Sequence, residues 1–240
     1  GITALLFLFF GFSLMMVMRW QLAYPDTSVP VVGGLVKWLA ELNGFASNGN
    51  LPSDLYNVFG AMHGTIMIFL GVVPMVVAAF GNYIVPLQIG APDMAFPKLN
   101  MTSYWVYFVG GIIMLVSFFL PGGAANSGWT SYPPLSDIAT IGQTFWLLGM
   151  VFLITSSLLG SINIIVTIVQ LRAPGLTWMR LPFFVWAQFV TSFLLVLAFP
   201  PLEAAAFFQL MDRVFGTSFF MPSGLVVGGE ALGGSGGGNP

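Results

Sequence analysis

The sequence predicts an all-α polytopic membrane protein, a bundle of about five transmembrane helices, on three observations. Hydrophobic residues make up 57% of the chain and charged residues only 6%, with mean hydropathy +0.92, so a water-soluble surface cannot be built from this inventory. A bilayer core of about 30 Å needs about 20 apolar residues per helix, and charge-free windows of that size recur five times. Proline- and glycine-rich stretches separate them: PLQIGAPDMAFP after the second window, PGGAANSGW after the third, RAPG after the fourth.

Helices are expected at 1–18, 56–81, 101–120, 141–170 and 182–208. The first begins GITALLFLFF, without a basic n-region or a small-residue cleavage site, and reads as a helix entered partway along rather than a signal peptide. The polar 19–55 stretch is expected to be an excursion outside the membrane. Residues 1–212 then form the transmembrane region, and 213–240, ending GGEALGGSGGGNP, a flexible Gly-rich loop or tail leading to a helix beyond this sequence. No internal repeat is visible. Lys98, Arg172 and Arg180 crowd two short loops, whereas Arg19, Lys37 and Arg213 are diluted among acids in long ones, which favours the 82–100 and 171–181 loops as cytoplasmic or matrix-facing.

A formal net charge of −2 with six Lys and Arg offers no basic surface for phosphate backbones, which argues against nucleic acid as a partner. The absence of cysteine excludes disulfides and thiolate metal sites. Any metal or cofactor ligation must come from His63, carboxylates, Met or Tyr.

His63 is the only histidine, and it sits in GAMHGTIMIF within a run free of Asp, Glu, Lys and Arg from Leu55 to Pro92. Gly60 and Gly64 frame it at i−3 and i+1. Two readings compete. Either the glycines let a neighbouring helix pack closely and the imidazole bonds a carbonyl, or the missing side chains clear space for a flat macrocycle whose iron takes the imidazole as axial ligand. Arg19, placed by the helix ends toward the same membrane face, is either an interfacial anchor or a donor to a polar substituent of such a macrocycle.

In the fourth helix Ser156, Gly160, Asn163, Thr167 and Gln170 recur at helical spacing, with Ser157 beside them, so small and polar groups share one face. They serve either as hydrogen bonds across a helix interface or as a lining for ordered water carrying protons. The loop GNYIVPLQIGAPDMAFPKLN holds one acid, Asp93, between Asn82 and Asn100, at the same face as the Gln170 end of the stripe. On their own, Asp93 is a solvated loop carboxylate and Asn82 a helix C-cap; together with the stripe they sketch a route from an aqueous carboxylate to hydroxyls near the midplane. Glu203, in FPPLEAAAF, has no assigned role and reads as a snorkelling interfacial acid.

Four motifs resemble subunit I of the haem–copper oxidases, of the cytochrome c oxidase branch. They are YNVFGAMHGTIMIF, FGNYIVPLQIGAPDMAFPKLN, GWTSYPPL and SSLLGSINIIVTIV, in the family's order and spacing, with 28–50 as an insertion. The resemblance implies that His63 is an axial ligand of a low-spin haem, of a-type, with Gly60 and Gly64 clearing the macrocycle and Arg19 and Tyr56 in its surroundings. It implies a proton pathway entered at Asp93, with Asn82 and Asn100 at its mouth and Asn163, Ser156 and Ser157 along it. It places Trp129 and Tyr132 in outer-side packing near the oxygen-reducing centre. The family's second axial histidine, copper ligands, second haem and gating glutamate belong to later helices of a twelve-helix-type subunit, so this sequence is expected to be its N-terminal fragment, with no catalytic residue of its own. The implied function is a proton-pumping terminal oxidase moving electrons from cytochrome c, delivered through another oxidase subunit, to oxygen, in a bacterial cytoplasmic membrane rather than a mitochondrial one. A quinol oxidase is the nearer alternative, disfavoured because Pro92 stands where those relatives commonly carry Arg; a non-redox channel or transporter is the more distant one.

Overall fold

The computed structural model describes residues 1–221, 224, 226–227, 230–231 and 238. It is helical apart from two-residue strands, Val226–Val227 and Glu230–Ala231, which pair antiparallel. Five segments are long and apolar enough to cross a membrane: Ile2–Ala23, Ser53–Ile89, Pro97–Phe119, Ile141–Gln170 and Phe183–Phe215. The chain is an integral membrane protein. Three spans run past their expected ends: the first to Ala23, the second to Ile89 and the last to Phe215. The missing signal was capping, since Arg19 and Asp212 lie inside helices that hydropathy alone ends early. Of the stretch expected at 213–240, residues 222–223, 225, 228–229, 232–237 and 239–240 lie outside the described residues.

The helices are α1 (Ile2–Ala23), α2 (Gly33–Leu42), α3 (Ser53–Thr65), α4 (Gly81–Ile89), α5 (Pro97–Val116), α6 (Leu135–Ile138), α7 (Ile141–Gln170) and α8 (Phe183–Phe215). α1 is apolar all round, yet its buried residues, Ala4, Phe7, Gly11, Leu14 and Met18, recur every three or four positions and form the stripe that packs on α3 and the turns after it. α2, within the excursion, buries Val36 and Ala40 and carries the only ion pair among the described residues, Lys37 to Glu41 at 3.8 Å.

The second span is not a plain α-helix. Between α3 and α4 it widens into two π-helical segments, Ile66–Val72 and Pro74–Phe80. Pro74 explains the change: it has no N–H for the carbonyl four residues back, Leu70, and its ring would clash there in an α-helix. The Tyr107 hydroxyl of α5 donates to that Leu70 carbonyl at 2.7 Å, so a side chain replaces the backbone donor that proline lacks.

α7 is the central post, packed between α5 and α8. It meets α5 where Gly110 faces Gly149; a Cβ on Gly110 would lie 3.0 Å from the Gly149 carbonyl, a backbone approach only small residues permit. Chain direction puts the 24–52 and 120–140 segments at one end of the bundle, called outer here, and the 90–96 and 171–182 loops at the other, inner end.

Candidate functional site

His63 lies in the last turn of α3, just before the backbone widens. Its Nδ1 donates to the Gly11 carbonyl of α1 at 2.8 Å. Glycine permits the contact: a Cβ on Gly11 would come within 2.9 Å of Met67 Sδ, so a larger residue would push α1 away from α3 and its continuation. With the ring proton on Nδ1, Nε2 keeps a lone pair, and no hydrogen bond among the described residues engages it. This is the arrangement of a metal-ligating histidine, the ring held by one nitrogen and offered by the other. Within this chain no three His, Cys, Asp or Glu side chains converge among the described residues, so a metal on His63 would need ligands of its own, as porphyrin iron has.

Around the ring, Tyr56 and Gly60 share its helical face at i−7 and i−3. Tyr56 is half-buried against the core. A Cβ on Gly60 would meet only the mobile end of Met18, at 3.3 Å, and one on Gly64 would meet Trp129 Cδ1 at 3.8 Å. At neither glycine does backbone close the space a Cβ would take. Arg19 is exposed, without a hydrogen bond among the described residues. It stands eight residues beyond Gly11, about 12 Å along the axis toward the outer end.

A cavity of about 680 Å³ opens at the inner end and reaches mid-bundle, with room for on the order of ten or more waters. Asp93, Asn82 and Asn100 line its mouth, and Ser156, Ser157 and Gly160 its inner reach. Asp93 is exposed and accepts from the Met94 backbone N–H at 2.7 Å. Asn82 is no C-cap: it lies inside α4, which ends at left-handed Gly90, and its amide donates to Asn100 Oδ1 at 2.8 Å. Ser156 donates to the Ser103 carbonyl at 2.7 Å, and Ser103 donates to the Ser156 carbonyl at 2.9 Å.

The polar stripe of α7 therefore divides. Asn163 is fully buried and does not line the cavity. Its Oδ1 accepts from the Phe96 N–H at 2.9 Å and its Nδ2 donates to the Phe96 carbonyl at 3.2 Å, while Thr167 Oγ1 accepts from the Ala95 N–H at 2.9 Å. Asn163 and Thr167 clamp the Asp93 loop onto α7, and Gln170 is exposed beyond them. Asn163, expected along the pathway, does not line this cavity, and its amide bonds the Phe96 backbone instead.

At the outer end Gln143, Ser131, Gln209 and Arg213 form a buried network that the sequence did not announce. Gln143 donates to Ser131 Oγ at 3.0 Å, Ser131 to Gln209 Oε1 at 2.8 Å, and Gln209 to the Ser131 carbonyl at 2.6 Å. The Arg213 guanidinium donates to the carbonyls of Ser136, Asp137, Ala139 and Thr140 and to Thr144 Oγ1. A smaller cavity of about 250 Å³ lies below it, lined by Trp129 and Tyr132, and Phe69 borders both cavities. Trp129 leans on Phe69 at 6.3 Å between centroids, and Tyr132 is 72% exposed on this chain.

An oriented imidazole between glycines, inside five apolar helices with a carboxylate-mouthed cavity alongside, marks a membrane protein with a polar interior site. The chain belongs to the family described as Cytochrome C and Quinol oxidase polypeptide I, which matches residues 1–233. It is 43% identical over 222 residues to a cytochrome c oxidase subunit 1 of Thermostichus vulcanus, covering 92% of this chain and 36% of that one. It is 50% identical over 179 residues to the subunit 1 of Bacillus sp. strain PS3, covering 74% and 29%, and 44% identical over 202 residues to that of Cereibacter sphaeroides, covering 80% and 35%. The chain spans about a third of the length of these curated relatives. The family resemblance carried by the four motifs holds.

Proposed function

We propose that this chain is the haem-binding N-terminal part of the catalytic subunit of a proton-pumping terminal oxidase that takes electrons from cytochrome c and reduces oxygen to water. The observation that carries the proposal is the His63–Gly11 bond, which holds the ring by Nδ1 and presents Nε2. A low-spin haem of a-type, when bound there, supplies electron transfer. His63 would hold its iron, Gly60 and Gly64 would clear its plane, and Tyr56 and Arg19 would border it. In the same proposal, residues 1–212 are the membrane region and 213–240 lead on to the remainder of the subunit, where copper and a second haem would be held.

Asp93 acts at the aqueous mouth of the inner cavity, taking protons from the inner side; Asn82 and Asn100 keep the mouth polar, and Ser156 and Ser157 solvate water farther in. The names of the relatives favour cytochrome c over quinol as donor, and their bacterial sources favour a bacterial cytoplasmic membrane. Other oxidase subunits and lipid are the partners.

The test is His63→Ala in the complete subunit, read by optical and paramagnetic resonance spectra. The expected result is loss of the low-spin haem signal, because no other histidine exists in this chain to replace it. An unchanged six-coordinate low-spin spectrum would overturn the assignment, and a wild-type protein with no Soret band would point to a non-redox channel.

A further inference from the structure

Among the described residues Glu203 is the one carboxyl more than three residues from either end of a span, and the reading above gives it no task. It does not snorkel to an interface. Its Oε1 lies 2.6 Å from Thr155 Oγ1, at the middle of α7, with about 20 Å of helix on either side. The side chain is half-buried between α7 and α8 and lines neither cavity.

The same Thr155 oxygen lies 2.8 Å from the Val151 carbonyl, one turn back. A hydroxyl has a single proton, and the Val151 carbonyl can only accept. When the hydroxyl proton goes to Val151, the usual back-bond of a threonine in an apolar helix, the Thr155 oxygen has only lone pairs to offer Glu203. Both contacts are then satisfied only if the carboxyl supplies a proton of its own.

The surroundings agree. α7 carries no Asp, Glu, Lys, Arg, His or Tyr. α8 packs also on α4, whose one titratable group is the exposed Tyr83 at the inner end, and on α6, whose Asp137 sits at the Arg213 level. On α8 itself Asp212 and Arg213 are nine and ten residues away, about 13–15 Å along the axis. An ionised Glu203 would stand at mid-membrane without a cation, a costly state that the neutral acid avoids.

We propose that Glu203 and Thr155 form a proton-binding site at mid-membrane, the carboxyl carrying a proton and donating it to the Thr155 oxygen. Release is balanced without redox chemistry: the proton leaves the carboxyl for a water, and the Thr155 hydroxyl turns from the Val151 carbonyl to donate to the carboxylate. The hydroxyl thus has two settings, one for each protonation state. The site needs only the placement of α7 and α8 in lipid and stands apart from haem binding.

The experiment is infrared spectroscopy of the assembled enzyme with complete subunit I, in lipid at neutral pH, in H₂O and D₂O. A protonated-carboxyl C=O band that shifts down in D₂O, disappears in Glu203→Gln and shifts up in Thr155→Val is the expected result. Loss of an ionised-carboxylate band in Glu203→Gln, with the protonated-carboxyl region unchanged, overturns the proposal. So does a band unmoved by Thr155→Val, and that variant decides alone should Glu203→Gln not assemble. Haem absorbance read on the same samples separates this outcome from failure of the His63 assignment, since neither readout depends on the other.

Discussion

At the outer end of the bundle Gln143, Ser131 and Gln209 bond one another and Arg213 bonds the adjoining turn of backbone, beside a cavity of about 250 Å³; at the inner end Asn82 and Asn100 share one bond and Asp93 accepts one from its neighbour, around 680 Å³ of open volume. The residue types are much the same. What differs is whether their hydrogen-bonding capacity is used up by protein. A saturated network fixes a loop to a helix, whereas an unsaturated one keeps sites free for water and hence for protons. The split within α7 repeats the contrast along one helix, since Asn163 and Thr167 are engaged by backbone while Ser157 and Gly160 border the cavity.

The largest expected effect that would break this contrast comes from Asp93→Asn. An amide cannot ionise, so turnover of the complete enzyme is predicted to fall on the order of a hundredfold, the low end for a lost proton-transfer group, with haem content and thermal stability unchanged. Oxygen consumption and proton release in vesicles measure it. Wild-type rates would make Asp93 an ordinary surface acid and leave the inner cavity without a demonstrated entry.

Next comes Arg213→Met at the saturated end. Losing the donors to four carbonyls and a hydroxyl is predicted to lower stability by about 2–3 kcal/mol, seen as a lower thermal midpoint in detergent, while proton uptake at the inner side stays normal. Reduced uptake with an unmoved midpoint would mean that the outer network conducts rather than braces.

Asn163→Ala sharpens the division within α7. It removes both bonds to Phe96 and leaves a buried N–H in need of a partner, for an expected loss of about 1–2 kcal/mol and faster hydrogen exchange in the 93–97 loop. Unaltered exchange there would return Asn163 to the cavity lining.

The smallest effect is a pH dependence at Asp137, in the outer loop. Burial and the nearby Asp212 push its carboxyl up to about 6 from an ordinary 3.8, against the pull of Arg213, and neither oxygen has a hydrogen-bond partner among the described residues. The folded state therefore holds this proton more tightly than the unfolded chain does. The contribution is fully present below pH 3.8 and is lost as pH rises through about 6, so exchange protection of the 131–140 loop is expected to increase on going from pH 7 to pH 5. Asp137→Asn should flatten that profile, and a slope that survives the substitution would assign it to another group.

Much of the architecture is decided by hydropathy and charge, because lipid imposes a minimum apolar length and punishes unpaired polar groups wherever they fall. The five spans, the isolation of His63 among glycines and the position of Asp93 in a short inner loop follow from that local rule and are legible in a single pass along the chain. Helical spacing likewise puts Ser156, Gly160, Asn163 and Thr167 on one face. What spacing cannot say is who stands opposite. Whether Asn163 meets water or the Phe96 backbone, whether Gly11 accepts from His63, and whether Tyr107 supplies the donor that Pro74 lacks are each settled by partners 67, 52 and 37 residues distant, the last being the separation between Tyr107 and Leu70. Glu203 shows the same limit, since its sequence position suggests an interface and only the packing of α8 on α7 brings it to Thr155. A hydrogen bond depends on a few tenths of an ångström between atoms far apart in the chain, and that distance exists only once the helices have packed.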